Sequence, residues 1–170
     1  RPVLYRSGRL TPAGDCQVTN PVALEADRLR PEGRVGRAQA LFCSPTLTEM
    51  ASWHLANLRL RHAGYVPQAH EIRYRGPMPY AYPVAAWDAA TRSGAGERQL
   101  RAYWDSGRAG VTGDHRIEIL IDPAYIVSAR PVSDRRLVLA AEEHVRDQLE
   151  WHLWPRRRAT GRRLRRPAPA

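Results

Sequence analysis

The apolar positions along the chain alternate between the two-residue repeat of strands and the three-to-four-residue repeat of helices. Short apolar or alternating runs predict strands at residues 3–6, 39–43, 70–74, 116–121 and 125–129. The last but one shows the cleanest alternation, with its three isoleucines on one face and Arg116, Glu118 and Leu120 on the other. This pattern predicts a strand with at least one fully buried face.

Helical spacing and capping residues predict four helices. They cover residues 21–28, residue 46 to just before Gly64, residues 97–104 and residues 133–154. Asn20 followed by Pro21 predicts an N-cap and a first helical position. Thr46 with Glu49 fits a capping box, and Ser44 before Pro45 offers a competing helix start.

Two segments affect the fold class. Residues 76–83 hold three prolines, so we predict irregular structure there. Residues 137–139 could form a strand in place of the last helix. The strands are separated by helices and loops without a regular strand–helix–strand rhythm, which favours an α+β fold over a doubly wound sheet.

Length and composition indicate one domain with a basic extension. The chain has 170 residues, 43% of them hydrophobic, which suits a single domain with its own core. We expect this domain to span residues 1–155 and residues 156–170 to be a disordered tail of Arg, Gly, Pro and Ala. No apolar run approaches the roughly 18 residues of a membrane helix, so no membrane insertion is expected. The first residues lack both an initiator Met and a signal peptide, so we expect a fragment or a processed product.

The positive charge is concentrated at the end of the chain. All 27 basic residues are Arg, and seven of them lie between Arg156 and Arg166. Residues 1–155 hold the other 20 against 17 acidic residues, a net charge of only +3. Such a tail would attract phosphate backbones or anionic surfaces. The two cysteines, Cys16 and Cys43, predict free thiols and no metal site, which is compatible with cytoplasmic action, including delivery into a target cell.

The candidate chemistry begins with a carboxylate. Glu118 lies between two isoleucines in a strand that should be largely buried, so it must be paired, hydrogen-bonded or used. An ion pair with a neighbouring Arg, or a strand with one wet face, would also accommodate it. Arg6 ends the first predicted strand, and Ser44 follows the second. The P-loop, the zincin helix and the hydrolase elbow motif are all absent from the sequence.

Three short segments in order resemble the Arg–Ser–Glu class of ADP-ribosyltransferases, which includes bacterial toxins and phage enzymes. The segments are Leu4-Tyr5-Arg6, Phe42-Cys43-Ser44-Pro45-Thr46 and Arg116-Ile117-Glu118-Ile119-Leu120-Ile121. The second and third are also similar to segments of the DNA-modifying toxins of this class. The resemblance spans residues 3 to about 130 and implies a split β-sandwich with flanking helices, which binds NAD+ as co-substrate, without a metal, in a cleft between two small sheets.

The resemblance also implies roles for particular residues. Arg6 would hold the NAD+ phosphates, for which Arg9 is a competitor, and Ser44 would shape the nicotinamide-ribose pocket. Glu118 would contact the ribose 2′-hydroxyl and stabilise the cationic state as nicotinamide leaves. Further residues expected near NAD+ are Tyr5, Thr46, Trp53 and Tyr74, with Tyr80 and Tyr82 as additional stacking candidates.

The acceptor is suggested by a departure from the class. Many members have Glu or Gln two residues before the catalytic Glu, where this chain has Arg116. Arginine is therefore a poor acceptor candidate, and we expect Arg116 to contact a macromolecular acceptor, with nucleic acid ranked ahead of protein. An immunity or antitoxin protein is a further expected partner. The alternatives are a non-enzymatic nucleic-acid-binding or assembly protein that uses the Arg-rich tail, and an NAD+ glycohydrolase.

Overall fold

The computed structural model describes residues 3–10, 20–59, 68–92, 96–110 and 116–159. Within these ranges the chain forms five α-helices and two antiparallel sheets, which confirms the predicted α+β fold. The strands are β1 (Val3–Ser7), β2 (Leu41–Cys43), β3 (Ala69–Tyr74), β4 (Tyr80–Pro83), β5 (Arg108–Ala109), β6 (Ile117–Ile121) and β7 (Ile126–Pro131). The helices are α1 (Pro21–Arg28), α2 (Leu47–Arg59), α3 (Val84–Thr91), α4 (Glu97–Asp105) and α5 (Asp134–Ala159).

Two of the helices start at the predicted capping residues. The Asn20 side chain accepts hydrogen bonds from the amides of Val22 at 2.9 Å and Ala23 at 3.4 Å, with Pro21 as the first residue of α1. The Glu49 amide donates to Thr46 Oγ1 at 3.2 Å, so the Thr46 cap starts α2 and the competing start at Ser44 is not used. Local sequence therefore sets both helix starts.

Within the described ranges, the two sheets meet at one main-chain bridge. One sheet has the order β1-β3-β7 and the other has the order β2-β6-β4-β5. Tyr5 of β1 and Ser44, just after β2, exchange two main-chain hydrogen bonds of 2.9 and 2.7 Å. This bridge places β1 beside β2 at a single point, so the edges of the two sheets are held together there.

The alternation of β6 is confirmed by its packing. Its three isoleucines pack between the two sheets in a core that also contains Leu4, Leu41 and Ile72. Leu120, on the opposite face, packs in a second core against α1, α3 and α4. A smaller third core lies beneath α2 and α5. One face of each sheet is therefore covered by helices, and the other face packs against the opposing sheet.

The expectation of irregular structure at residues 76–83 is wrong for its second half. Tyr80–Pro83 forms β4, which pairs with β6 on one side and β5 on the other. The prolines allow this because Pro77 and Pro79 precede the strand, and Pro83 is its last residue. The helix α3 and the two-residue strand β5 were not predicted.

The C-terminal region is helical in place of the alternative strand. Residues 137–139 lie within α5, which extends to Ala159, four residues past the predicted domain end at Pro155. Among the described helices, none combines the length and the apolar character that a membrane crossing requires. Cys43 is buried, whereas Cys16 and the remainder of the Arg-rich segment lie outside the described residues.

Candidate functional site

Glu118 lies at the centre of a buried polar cluster. It is on β6 opposite Tyr82 of β4, on the helix-covered face of the sheet, with 12% of its side chain exposed. Arg37 Nη1 forms an ion pair with Glu118 Oε1, and Arg37 Nη2 lies 3.3 Å from Oε2. The Tyr103 hydroxyl donates to Oε1 at 2.8 Å. The ion pair that the sequence left open as an alternative is therefore present, and β6 is an interior strand with neighbours on both sides.

Arg37 lies on the loop after α1, which is hydrogen-bonded to that helix through Asp27. The Asp27 carboxylate accepts hydrogen bonds from the amides of Arg37 at 2.6 Å and Ala38 at 2.9 Å. Gly36 permits this approach, because a Cβ there would meet Asp27 Oδ2 at 2.7 Å. The loop thereby inserts a side chain that is only 2% exposed into the domain.

Aromatic rings surround the Arg37 guanidinium. Its Cζ lies 3.5 Å from the centroid of Trp87, 4.6 Å from that of Phe42 and 5.1 Å from that of Tyr103. Tyr103 stacks on Tyr82 with centroids 4.8 Å apart. Such rings stabilise a desolvated cation through their electron-rich faces, which favours Arg37 at this depth.

The two partners of Glu118 keep their protons. Burial would lower the pKa of Arg37, but the charge of Glu118, then that of Tyr103, and hydrogen bonds to both leave the pKa raised. Burial, followed by the charge of Glu118, raises the pKa of Tyr103 well above its ordinary value. Both groups therefore remain hydrogen-bond donors to the carboxylate across the physiological pH range.

Arg6 lies where β1 and β2 separate. If their antiparallel pairing continued past the Tyr5–Ser44 bridge, the Ser7 amide would face the Phe42 carbonyl. Arg6 Nη1 instead donates to that carbonyl at 3.0 Å, and Arg6 Nε donates to the Arg9 carbonyl at 2.6 Å. Arg6 is 2% exposed, so its guanidinium stabilises the split between the sheets from within.

His70 lies opposite Arg6 on β3. Its Nδ1 is buried and has no hydrogen-bond partner among the described residues. Burial, and then the charge of Arg6, lower the pKa of His70, so the ring is neutral at pH 7. Arg6 is consequently a fixed positive charge at this junction.

The strand register places Ser44 directly opposite Glu118. Cys43 pairs with Ile119 across β2 and β6, so one further step along each strand sets Ser44 opposite Glu118. Directly opposed residues in an antiparallel pair lie about 5 Å apart and share a face. Ser44 and Glu118 thus share the helix-covered face, whereas Arg6, two residues after Leu4, is on the face of β1 that Leu4 turns toward the core between the sheets.

The other predicted site residues lie at several separate places. Tyr5 bridges to Ser44, and Thr46 caps the adjacent helix α2. Trp53 of α2 lies beneath the exposed Arg116, whose Cζ is 4.8 Å from the ring centroid.

Tyr74 packs in the core between the sheets, four residues along β3 from the partner of Arg6. That separation is about 13 Å along a strand, so Tyr74 is not part of the Arg6–Ser44 junction. Tyr80 lies under the Arg34 guanidinium at 4.1 Å, and Tyr82 is a core residue stacked on Tyr103.

Sequence reasoning missed Arg37 and Tyr103. Leu100, Tyr103 and Trp104 follow helical spacing in α4, so the burial of Tyr103 had a signal in the pattern. Arg37 had none, since it is one of 27 arginines and lies 81 positions from its partner. The contact depends on tertiary structure alone.

A second carboxylate near Ser44 gives a pH-dependent expectation. Burial raises the pKa of Glu49 from 4.5 to about 7, against the smaller lowering effect of its Thr46 hydrogen bond. The pKa of Glu49 is higher in the folded than in the unfolded state. The contribution of Glu49 to folding stability is therefore complete below pH 4.5 and is lost as the pH rises through about 7. Replacing Glu49 with Gln keeps the capping geometry. We expect this variant to exceed wild type in free energy of unfolding at pH 8 by about 1 kcal/mol, after allowance for solvent screening of a half-buried group.

Denaturant unfolding at a series of pH values measures this effect. Glu142→Gln, which changes an exposed carboxylate on α5, is the matched control and should leave the pH dependence as in wild type. Parallel stability curves for Glu49→Gln and wild type between pH 4.5 and 8 would rule out the raised pKa.

Two findings bear on the candidate site. Among the described residues, no group of three or more His, Cys, Asp or Glu side chains is arranged to hold a metal ion. The chain matches no protein-family model, no curated protein and no solved structure in the comparisons with known proteins. The functional conclusion therefore depends on the geometry around Glu118 and the Arg6–Ser44 junction.

Proposed function

We propose that this chain transfers ADP-ribose from NAD+ to a macromolecular acceptor and releases nicotinamide. The observation that carries the proposal is the strand register, which aligns Tyr5, Ser44 and Glu118 across three neighbouring strands and places Arg6 one residue further along β1, at the junction of the two sheets. This alignment agrees with the ordered Arg–Ser–Glu motifs and with an ADP-ribosyltransferase-like split β-sandwich.

Glu118 retains the capacity to bind a ribose hydroxyl. An ionised carboxylate has about four acceptor positions, and three donors from Arg37 and Tyr103 occupy most of them. About one position remains for the 2′-hydroxyl of the nicotinamide ribose. The 12% of the side chain that is exposed gives a ligand access to it.

The bond changes follow from this placement. The C1′–N bond of NAD+ breaks, and its electron pair leaves with nicotinamide. The positive charge that develops on the ribose is stabilised by the carboxylate of Glu118, which a water-poor site makes more effective. A nucleophile of the acceptor then forms a bond to C1′ and loses its proton to solvent.

Arg37 and Tyr103 act as positioning residues in this account. They fix the carboxylate on the helix-covered face that it shares with Ser44. The Ser44 hydroxyl is the candidate hydrogen-bonding group for the nicotinamide ribose, and Arg6 is the candidate positive charge for the phosphates. Because Arg6 also bonds to two carbonyls, phosphate contact would require its donors to be shared.

The acceptor side is assigned to Arg116 and Trp53. Arg116 is exposed and directly precedes β6, two residues from Glu118 and about 7 Å away along an extended chain. A guanidinium over an indole ring suits a phosphate and a stacked base, so a nucleic-acid acceptor ranks ahead of protein. The seven arginines at 156–166 would add phosphate attraction.

Labelled NAD+ tests the proposal. The full chain is incubated with NAD+ labelled in its adenylate half and with a cell lysate, and both labelled macromolecules and free nicotinamide are measured. Label in nucleic acid or protein supports transfer. Nicotinamide without labelled macromolecules indicates a glycohydrolase, and neither product contradicts the proposal, leaving the non-enzymatic nucleic-acid-binding alternative.

A further inference from the structure

A cavity of about 280 Å³ opens at the opposite end of β6 from Arg116. Its walls come from the loop that follows α1, from the start of β4 and from the residues after β6. Its size is close to the lower limit of about 300 Å³ for small-molecule sites. Tyr74 in its wall lies about 13 Å along β3 from the partner of Arg6, so the cavity is separate from the Arg6–Ser44 junction.

Two arginines give the cavity positive charge. Neither Arg30 nor Arg34 forms an ion pair within the described residues. Arg34 bonds to the Tyr82 hydroxyl at 3.3 Å and to the Trp104 carbonyl, both through Nη1. Its Nη2 and Nε therefore remain as donors, and Arg30 is exposed. Paired guanidinium donors suit a phosphate.

Four tyrosines, Tyr74, Tyr80, Tyr82 and Tyr125, form much of the rest of the wall. The Arg34 guanidinium lies 4.1 Å from the Tyr80 ring centroid, so cation and ring present one layered surface. Tyr74 and Tyr125 meet edge to face with centroids 6.3 Å apart. Flat rings beside a guanidinium are the surfaces on which nucleobases stack.

Asp122 adds one carboxylate to the same wall. Its Oδ1 accepts from the Ala124 amide at 2.9 Å, and its other oxygen makes no hydrogen bond within the described residues. A carboxylate with a spare acceptor is suited to a ribose hydroxyl. The cavity thus combines groups for a phosphate, a sugar and an aromatic base.

We propose that this cavity binds a nucleoside monophosphate unit, with the phosphate at Arg30 and Arg34, the ribose at Asp122 and the base against the tyrosines. The unit belongs either to a free nucleotide or to a nucleotide of a nucleic-acid strand. The site goes beyond the proposed transfer reaction and depends on none of its residues.

Calorimetric titration of the full chain with AMP, adenosine and inorganic phosphate tests the site. We expect AMP to bind with a dissociation constant below about 1 mM. Adenosine alone and inorganic phosphate alone should each bind at least about tenfold more weakly. Arg30→Ala should weaken AMP binding about tenfold. Tyr80→Leu should weaken it at least about fivefold. Arg28→Ala, which removes a neighbouring exposed arginine outside the cavity, is the matched control and should bind AMP as wild type does.

Further measurements distinguish a free nucleotide from a nucleotide within a strand, and this site from the proposed transfer reaction. A short single-stranded oligoadenylate that binds more tightly than AMP, and loses affinity in Arg30→Ala, identifies the unit as part of a strand; AMP binding alone identifies a free nucleotide. Arg30→Ala should leave NAD+ turnover unchanged, because Arg30 has no role in the proposed transfer reaction, so loss of NAD+ turnover and loss of this site are distinguishable. Absence of AMP binding, or equal AMP affinity in wild type, Arg30→Ala and Tyr80→Leu, would overturn the assignment.

Discussion

Replacing Arg37 with methionine is expected to lower the free energy of unfolding by about 3–5 kcal/mol, because it leaves the Glu118 carboxylate without its buried cation. The double variant Arg37→Met/Glu118→Gln should recover at least about 2 kcal/mol of this loss, since no charge is then left unpaired. Methionine fits the aromatic surroundings of Arg37 and keeps most of its apolar stem. Denaturant unfolding of the four members of this double-mutant cycle measures the coupling.

The exposed pair on α4 provides the control for this cycle. Arg101 and Glu97 form an ion pair at 2.7 Å with more than half of each side chain exposed. Arg101→Met should therefore cost less than about 1 kcal/mol. If Arg37→Met were as mild as Arg101→Met, the Arg37–Glu118 pair would not be a buried, coupled contact.

For the proposed reaction, removing the negative charge of Glu118 is expected to lower the rate of ADP-ribose transfer by about 100-fold or more. The physical reason is that the neutral amide of Gln cannot stabilise the cationic ribose as nicotinamide leaves. Glu118→Gln alone also leaves Arg37 unpaired, so Arg37→Met/Glu118→Gln is measured beside it as the variant with no unpaired charge. Label transferred from adenylate-labelled NAD+ and nicotinamide released are both recorded.

A surface control variant and a folding check separate a catalytic effect of Glu118 from a general effect of charge or from unfolding. Glu97→Gln removes a carboxylate that is also paired with an arginine but lies on the surface, so its transfer rate should equal that of wild type. Circular dichroism verifies that each variant is folded. Wild-type transfer by the folded double variant would remove Glu118 from the reaction.

Local signals in the sequence predicted the parts of the fold that depend on short-range chemistry. Asn20 and Thr46 cap their helices as expected, because each cap needs only residues two or three positions away. The alternation of β6 was also readable, since burial of one face demands a two-residue repeat.

Elements that depend on distant partners were harder to predict. The strand β4 is stabilised by pairing with residues 117–120 and 108–109, which no local pattern around its prolines discloses. The helix α3 begins directly after Pro83 with Val84 and was also missed. Tertiary pairing decided the structure of both segments.

At the candidate site, too, the sequence predicted what depends on local chemistry and missed what depends on tertiary contacts. The sequence could suggest that Glu118 needed a partner, because an ionised group is costly beside isoleucines. It could not identify the partner as Arg37, whose position is set by the Asp27 carboxylate and the close approach at Gly36. The position of Arg116 over Trp53 likewise depends on a tertiary contact, between α2 and the residue that precedes β6.

The central claim is that the Glu118 carboxylate, held by Arg37 and Tyr103, faces the nicotinamide ribose of NAD+. A crystal structure of the chain with NAD+ tests it most directly. The proposal predicts a hydrogen bond of about 3 Å between Glu118 and the ribose 2′-hydroxyl, with Ser44 beside the same ribose. NAD+ bound away from β6, with the Arg37–Glu118 pair closed off from the dinucleotide, would contradict it.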